Sequence, residues 1–68
     1  MEQVERAMMW HERGFEAAAR GENYWVALIT VTKRAHQTGA LIEARDVSDF
    51  HDGFSDYVET NNTDNTIN

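Results

Sequence analysis

The segment that most constrains the fold runs from Tyr24 to Thr32, because seven of its nine residues are β-branched or aromatic. Residues of these types are enriched in β-strands. The side chains also alternate, with Ala27, Ile29 and Val31 on one side and the threonines on the other. The composition and the period of two both predict a strand.

A second alternating stretch follows, with Ile42 and Ala44 opposed to Glu43 and Arg45. Residues 35–39 lie between the two stretches, have the length of a hairpin loop and end in glycine. The sequence therefore predicts a β-hairpin over 24–45, with one apolar face.

Residues 2–20 show the helical period, and Gly21 follows them, as is common just after a helix. The apolar face expected to enter the core consists of Val4, Met8, His11, Phe15 and Ala18.

Residues 47–60 are also predicted to be helical, with Asp46 as the N-cap. Their apolar residues fall in one arc of about 100° on a helical wheel. These residues are Val47, Phe50, Phe54, Tyr57 and Val58. The following residues, 61–68, are polar and without periodicity, which predicts a disordered tail.

The fold class predicted from these elements is α+β, a single small domain over residues 1–60 with the order helix, β-hairpin, helix (αββα). The alternative is an all-α three-helix bundle. In that alternative, a second helix over 24–37 begins after Asn23, and a third helix runs from Leu41 to Val58. The segment from Gly21 to Tyr24, followed by Ala27, resembles the turn inside a tetratricopeptide-type helical hairpin, without a second repeat.

The charge of the chain is unevenly distributed. The formal net charge is −6, yet residues 1–45 hold six acidic and six basic residues, and residues 46–68 hold six acidic residues and no basic one. Nucleic-acid binders cluster Lys and Arg, so direct binding to nucleic acid is not expected. No apolar run is long enough to cross a membrane, and a cytoplasmic protein is predicted.

Catalysis and metal binding are not predicted. The chain lacks cysteine, a phosphate-binding glycine loop and a recognisable nucleophile motif. His11, His36 and His51 are too far apart in sequence to resemble a zinc motif. We therefore expect no enzyme activity, no catalytic residues, no metal site and no cofactor.

The feature that most suggests function is an acidic ridge on the last helix. Its four residues share one face, opposite the apolar arc, and no basic residue on that helix balances them. They are Asp49, Asp52, Asp56 and Glu59. A solvated outer face is the alternative interpretation. Trp25 and Trp10 are candidate apolar anchors for a partner, since tryptophan is enriched in binding hot spots.

These observations predict a small, acidic, non-enzymatic regulator or inhibitor that binds another protein. Antirepressors and defence inhibitors of phages and other mobile elements are analogues in size and charge. The expected partner is a basic-surfaced protein, such as a DNA-binding repressor or a nuclease, whose nucleic-acid-binding surface the ridge would occlude. The alternative is a homo-oligomeric structural or assembly subunit, a homodimer for example, whose exposed tryptophan, Val26 and Leu28 pack between copies.

Overall fold

The structure is a computed structural model that describes residues 2–67 and the side chains of residues 4–61. It contains three α-helices, α1 (Glu2–Ala19), α2 (Tyr24–Gln37) and α3 (Ala44–Ile67), and the described residues form no strand. The α+β fold class and the β-hairpin predicted over 24–45 are therefore wrong. The all-helical bundle, which the sequence offered as the alternative, is the fold.

Local signals at both ends of α2 support a helix despite its strand-like composition. The Asn23 side chain accepts hydrogen bonds from the backbone N–H groups of Trp25 (2.9 Å) and Val26 (3.3 Å), which caps the helix. After the helix, Gly39 has a φ of 79°, a conformation that glycine adopts without steric cost. The preference of β-branched residues for strands depends on context, and here a buried helical face outweighs it.

Two glycines bring α1 and α3 into close contact. A Cβ atom on Gly14 would overlap the carbonyl oxygen of Phe50, and one on Gly53 would overlap the carbonyl oxygen of His11. The two helix backbones are therefore in direct contact where they cross. Both helices run in the same direction, because contacts progress from Arg6 with Asp46 to Phe15 with Tyr57.

The hydrophobic core lies between this helix pair and α2, which runs back along it. Its buried members are Trp10, Ala17, Ala27 and Phe50, with Tyr24, Leu28, Val31, Ile42 and Phe54 packed around them. Of the face of α1 that was expected to enter the core, Val4, Met8 and Phe15 are exposed. That prediction is wrong for these residues because α1 meets α3 at Gly14. Val4 and Met8 stay exposed beside this crossing, and Phe15 is left with an edge-to-face contact with Tyr57 of α3.

A partly buried ion pair fixes the start of α3. Arg6 donates from Nε to Oδ1 of Asp46 (2.8 Å) and from Nη2 to Oδ2 (2.6 Å), and the Asp46 side chain is completely buried. Asp46 also accepts from the backbone N–H of Glu43 (2.9 Å). The carboxylate thus reaches back to the residue before the helix, as in half of a capping box, and is not the N-cap that the sequence predicts.

The C-terminal end of α3 differs from the expected disordered tail. The helix continues through Ile67, so residues 61–67 are helical, and Asn68 lies outside the described residues.

Candidate protein-binding surface

The acidic ridge of α3 lies on the side of the helix that faces away from α2. Phe54, on the opposite side, packs edge to face against Tyr24 of α2, with ring centroids 5.4 Å apart. Asp52, Asp56 and Glu59 are exposed and Asp49 is half-buried. The four residues predicted to share a face are therefore brought together, at the surface.

One histidine from α1 contacts the ridge. His11 Nε2 lies 2.8 Å from Oδ2 of Asp56. Within residues 4–61, no Lys or Arg side chain is within ion-pair distance of Asp49, Asp52 or Asp56. The negative charge at these positions is thus not neutralised by a permanent cation.

The first flank of the ridge is the open side of α1. Met8 is 65% exposed there, and Val4 and Phe15 are exposed beside it. A shallow depression in which Met8, His11 and Asp49 take part joins this apolar side to the ridge. Apolar and acidic groups therefore share one continuous surface.

The second flank lies between α3 and the start of α2. Trp25 is 67% exposed, and its ring packs edge to face against Tyr24 at a centroid distance of 5.2 Å. Trp25, Tyr24, Phe54 and Val58 line an open apolar groove of about 550 Å³ that reaches Glu59. A large, exposed aromatic ring thus stands near the Glu59 end of the acidic ridge.

Trp10 does not lie on this surface. Its side chain is 3% exposed and belongs to the core, and the guanidinium group of Arg13 lies 5.2 Å from its ring centroid. Of the two tryptophans singled out as anchors, the structure leaves only Trp25 accessible.

The outer face of α2 carries further apolar residues. Val26 and Ile29 are exposed next to Trp25, whereas Leu28 packs against the core. Ile29 was not singled out from the sequence as a surface residue. Its spacing of four from Trp25 would have placed both on one face, once the segment was read as a helix.

Among the described residues, no group of three or more His, Asp or Glu side chains is arranged to hold a metal ion. Nor does any described helix combine the length and apolarity needed to cross a membrane. Comparison with known proteins finds no family model, no curated protein and no solved structure that matches this chain.

Proposed function

We propose that this protein is a non-catalytic protein-binding module that docks on a basic-surfaced partner through the acidic ridge and its two apolar flanks. The observation that carries the proposal is the exposure of Met8 and Trp25 on either side of an acidic helix face. Exposed apolar side chains that are grouped together and bordered by charged residues are typical of protein-interaction surfaces.

The two kinds of group would contribute differently to binding. The acidic side chains steer a positively charged partner toward the surface and orient it, while adding little affinity. The apolar flanks supply affinity, because a tryptophan buried at the centre of an interface is a typical hot spot. A suitable partner therefore presents Lys and Arg next to apolar residues.

The finer proposal is that the partner is a DNA-binding repressor or a nuclease, and that the module inhibits it, as antirepressors and defence inhibitors of phages and mobile elements do. Surfaces that hold phosphates are rich in Lys and Arg. From Asp49 to Glu59 the ridge extends about 15 Å along the helix, at 1.5 Å per residue. An anionic ridge of that length would compete with nucleic acid for such a surface, and the cytoplasm is the proposed site of action.

The test compares affinity capture from the native host by three forms of the tagged chain. The ridge variant is Asp52→Asn with Asp56→Asn. The control variant, Glu5→Gln with Glu43→Gln, removes the same charge from exposed positions outside the ridge. Circular dichroism first confirms that all three forms are folded.

We expect a basic protein that the wild type and the control capture equally and that the ridge variant loses. Raising the salt concentration should release this protein, because screening weakens exposed charge pairs. Trp25→Ala should weaken its capture at every salt concentration. If the ridge variant captures the same proteins in the same amounts as the control, the proposal is wrong.

A second candidate function is that of a homo-oligomeric assembly subunit. The observation in its favour is the outer face of α2, where Trp25, Val26 and Ile29 are all exposed. Light scattering at high protein concentration tests it. We would expect a dimer that Trp25→Ala with Ile29→Ser abolishes and that the ridge variant keeps, whereas a strict monomer contradicts this function.

A further inference from the structure

A basic groove runs between α1 and α2, on the other side of α1 from the apolar flank of the acidic ridge. It encloses about 640 Å³ and is lined by four of the five arginines of the chain. These are Arg6, Arg13, Arg20 and Arg34, and the only acidic residue in the lining is Glu16. The chain therefore has a basic side as well as an acidic one, despite its net charge of −6.

Three of the arginines form a row along α1. Arg6, Arg13 and Arg20 are seven residues apart, so they project from the same side of α1 and its C-terminal turn at intervals of about 10 Å. If a straight helix lay in the groove along α1, its residues at intervals of seven would each lie next to one of the three arginines. The spacing of the row is thus the spacing of a helical ligand.

Two of the four arginines carry a charge that no carboxylate neutralises among the described residues. Arg6 is bonded to Asp46, and Arg20 donates from Nε to Glu22 at 2.8 Å. Among the described residues, neither Arg13 nor Arg34 forms an ion pair with a carboxylate. One comes from each helix, so each wall of the groove offers a cation to an acidic ligand.

Apart from the arginines, Glu16 and Thr38, the groove is lined by apolar residues. Met9 and Val31 belong to it, and at one end stands Leu41, which is 85% exposed. Trp10 lies beneath Arg13 and is too deeply buried for a nucleic-acid base to stack on it. Apolar lining together with arginines suits a ligand that combines apolar and acidic side chains, and it suits a phosphate backbone poorly.

We propose that the α1–α2 groove docks an acidic amphipathic helix of a partner protein. Apolar side chains of that helix lie on Met9, Val31 and Leu41, and its carboxylates pair with Arg13 and Arg34. Arg binds carboxylates through two parallel hydrogen bonds, which fixes the register of the helix. This surface differs from the acidic ridge in position and in charge, so the protein would join two partners of opposite charge.

The experiment uses the full chain and a synthetic helical peptide of about three heptads, with leucine along one face and glutamate beside it. The groove variant is Arg13→Gln with Arg34→Gln, and Arg34→Gln alone serves as a milder second variant. The control, Lys33→Gln with Arg45→Gln, removes the same charge outside the groove. Fluorescence anisotropy of the labelled peptide measures binding at low and at physiological salt.

We expect the wild type and the control to bind the peptide with similar Kd, and the groove variant to bind it at least about tenfold more weakly, since two charge-assisted hydrogen-bonded contacts are lost. Replacing glutamate by glutamine in the peptide should weaken binding to a similar extent.

Three results would overturn the inference. The first is no binding of the peptide to the wild type, and the second is equal binding by the groove variants and the control. The third is tighter binding of a DNA or RNA oligonucleotide through the same arginines. Since the ridge variant leaves the groove intact, failure here does not affect the test of the acidic ridge.

Discussion

The contact between the backbones of α1 and α3 makes a prediction in which two effects have opposite signs. Replacing a glycine inside a helix by alanine normally stabilises a protein by about 1 kcal/mol, because alanine has the higher helix propensity. At Gly14 we expect the reverse. The added Cβ would overlap the carbonyl oxygen of Phe50 and lie 2.9 Å from its carbonyl carbon, and neither atom is part of a flexible side chain.

The magnitude follows from how far the helices must separate. Carbon atoms in contact lie about 3.5–4.0 Å apart, so the axes of α1 and α3 must move apart by about 1 Å. Overpacking of this kind costs about 1–3 kcal/mol or more, and the separation also loosens the packing around Phe50. Because two backbone atoms are overlapped, we take the cost at the upper end, about 3 kcal/mol; after the gain of about 1 kcal/mol in helix propensity is subtracted, we expect Gly14→Ala to lower the free energy of unfolding by about 2 kcal/mol.

Urea denaturation followed by circular dichroism at 222 nm measures this change. A difference of 2 kcal/mol in a domain of this size corresponds to a fall in Tm of about 8–16 °C. Glu12→Gly and Glu12→Ala, made at an exposed position of the same helix, give the intrinsic difference between glycine and alanine in α1. If Gly14→Ala stabilises the protein by the amount that this pair predicts, the two backbones do not touch at Gly14.

The partner glycine adds a further test of the same crossing. Gly53→Ala alone should destabilise the protein by a similar amount, because its Cβ would overlap the carbonyl oxygen of His11. Once one substitution has separated the helices, the second should cost less than it does alone, since both act on one contact. Full additivity of the two changes would contradict a single shared crossing.

Three other predictions follow from the packing. The hydrogen bonds from Arg6 hold the pKa of Asp46 below its ordinary value of about 3.9. As the pH falls, the unfolded state therefore binds a proton at this carboxylate first, and stability is lost as the pH passes through the lower, folded-state pKa. Urea midpoints between about pH 6 and pH 2 should show this loss, and Asp46→Asn should remove part of the pH dependence while destabilising the protein at pH 7. The variant Trp10→Phe keeps only the exposed Trp25, and the variant Trp25→Phe keeps only the buried Trp10. Acrylamide should quench the fluorescence of the first variant far more strongly than that of the second, and equal quenching would contradict the burial of Trp10. Asn23→Ala should cost about 1 kcal/mol by removing the cap of α2, whereas an unchanged Tm would mean that the cap does not contribute to stability.

Signals that depend on a few neighbouring residues were readable from the sequence. The helical period of residues 2–20, Asn23 as a helix cap in the alternative fold, and the shared face of the four acidic residues all depend on local geometry, which the sequence encodes directly. The acidic ridge is therefore the part of the candidate surface that the sequence determined. Its role in binding stays a prediction.

Contacts between residues far apart in the chain decided the rest. Whether the run from Tyr24 to Thr32 is a strand or a helix depends on what covers it, and the α1–α3 pair offers a surface that a helix can pack against. Helical periodicity shows which residues of α1 share a face, but not which face is buried. Gly14 and Gly53 decide that, because helices approach most closely where neither has a side chain. As a result, Trp10 is buried, and Met8 is left at the surface beside the acidic ridge.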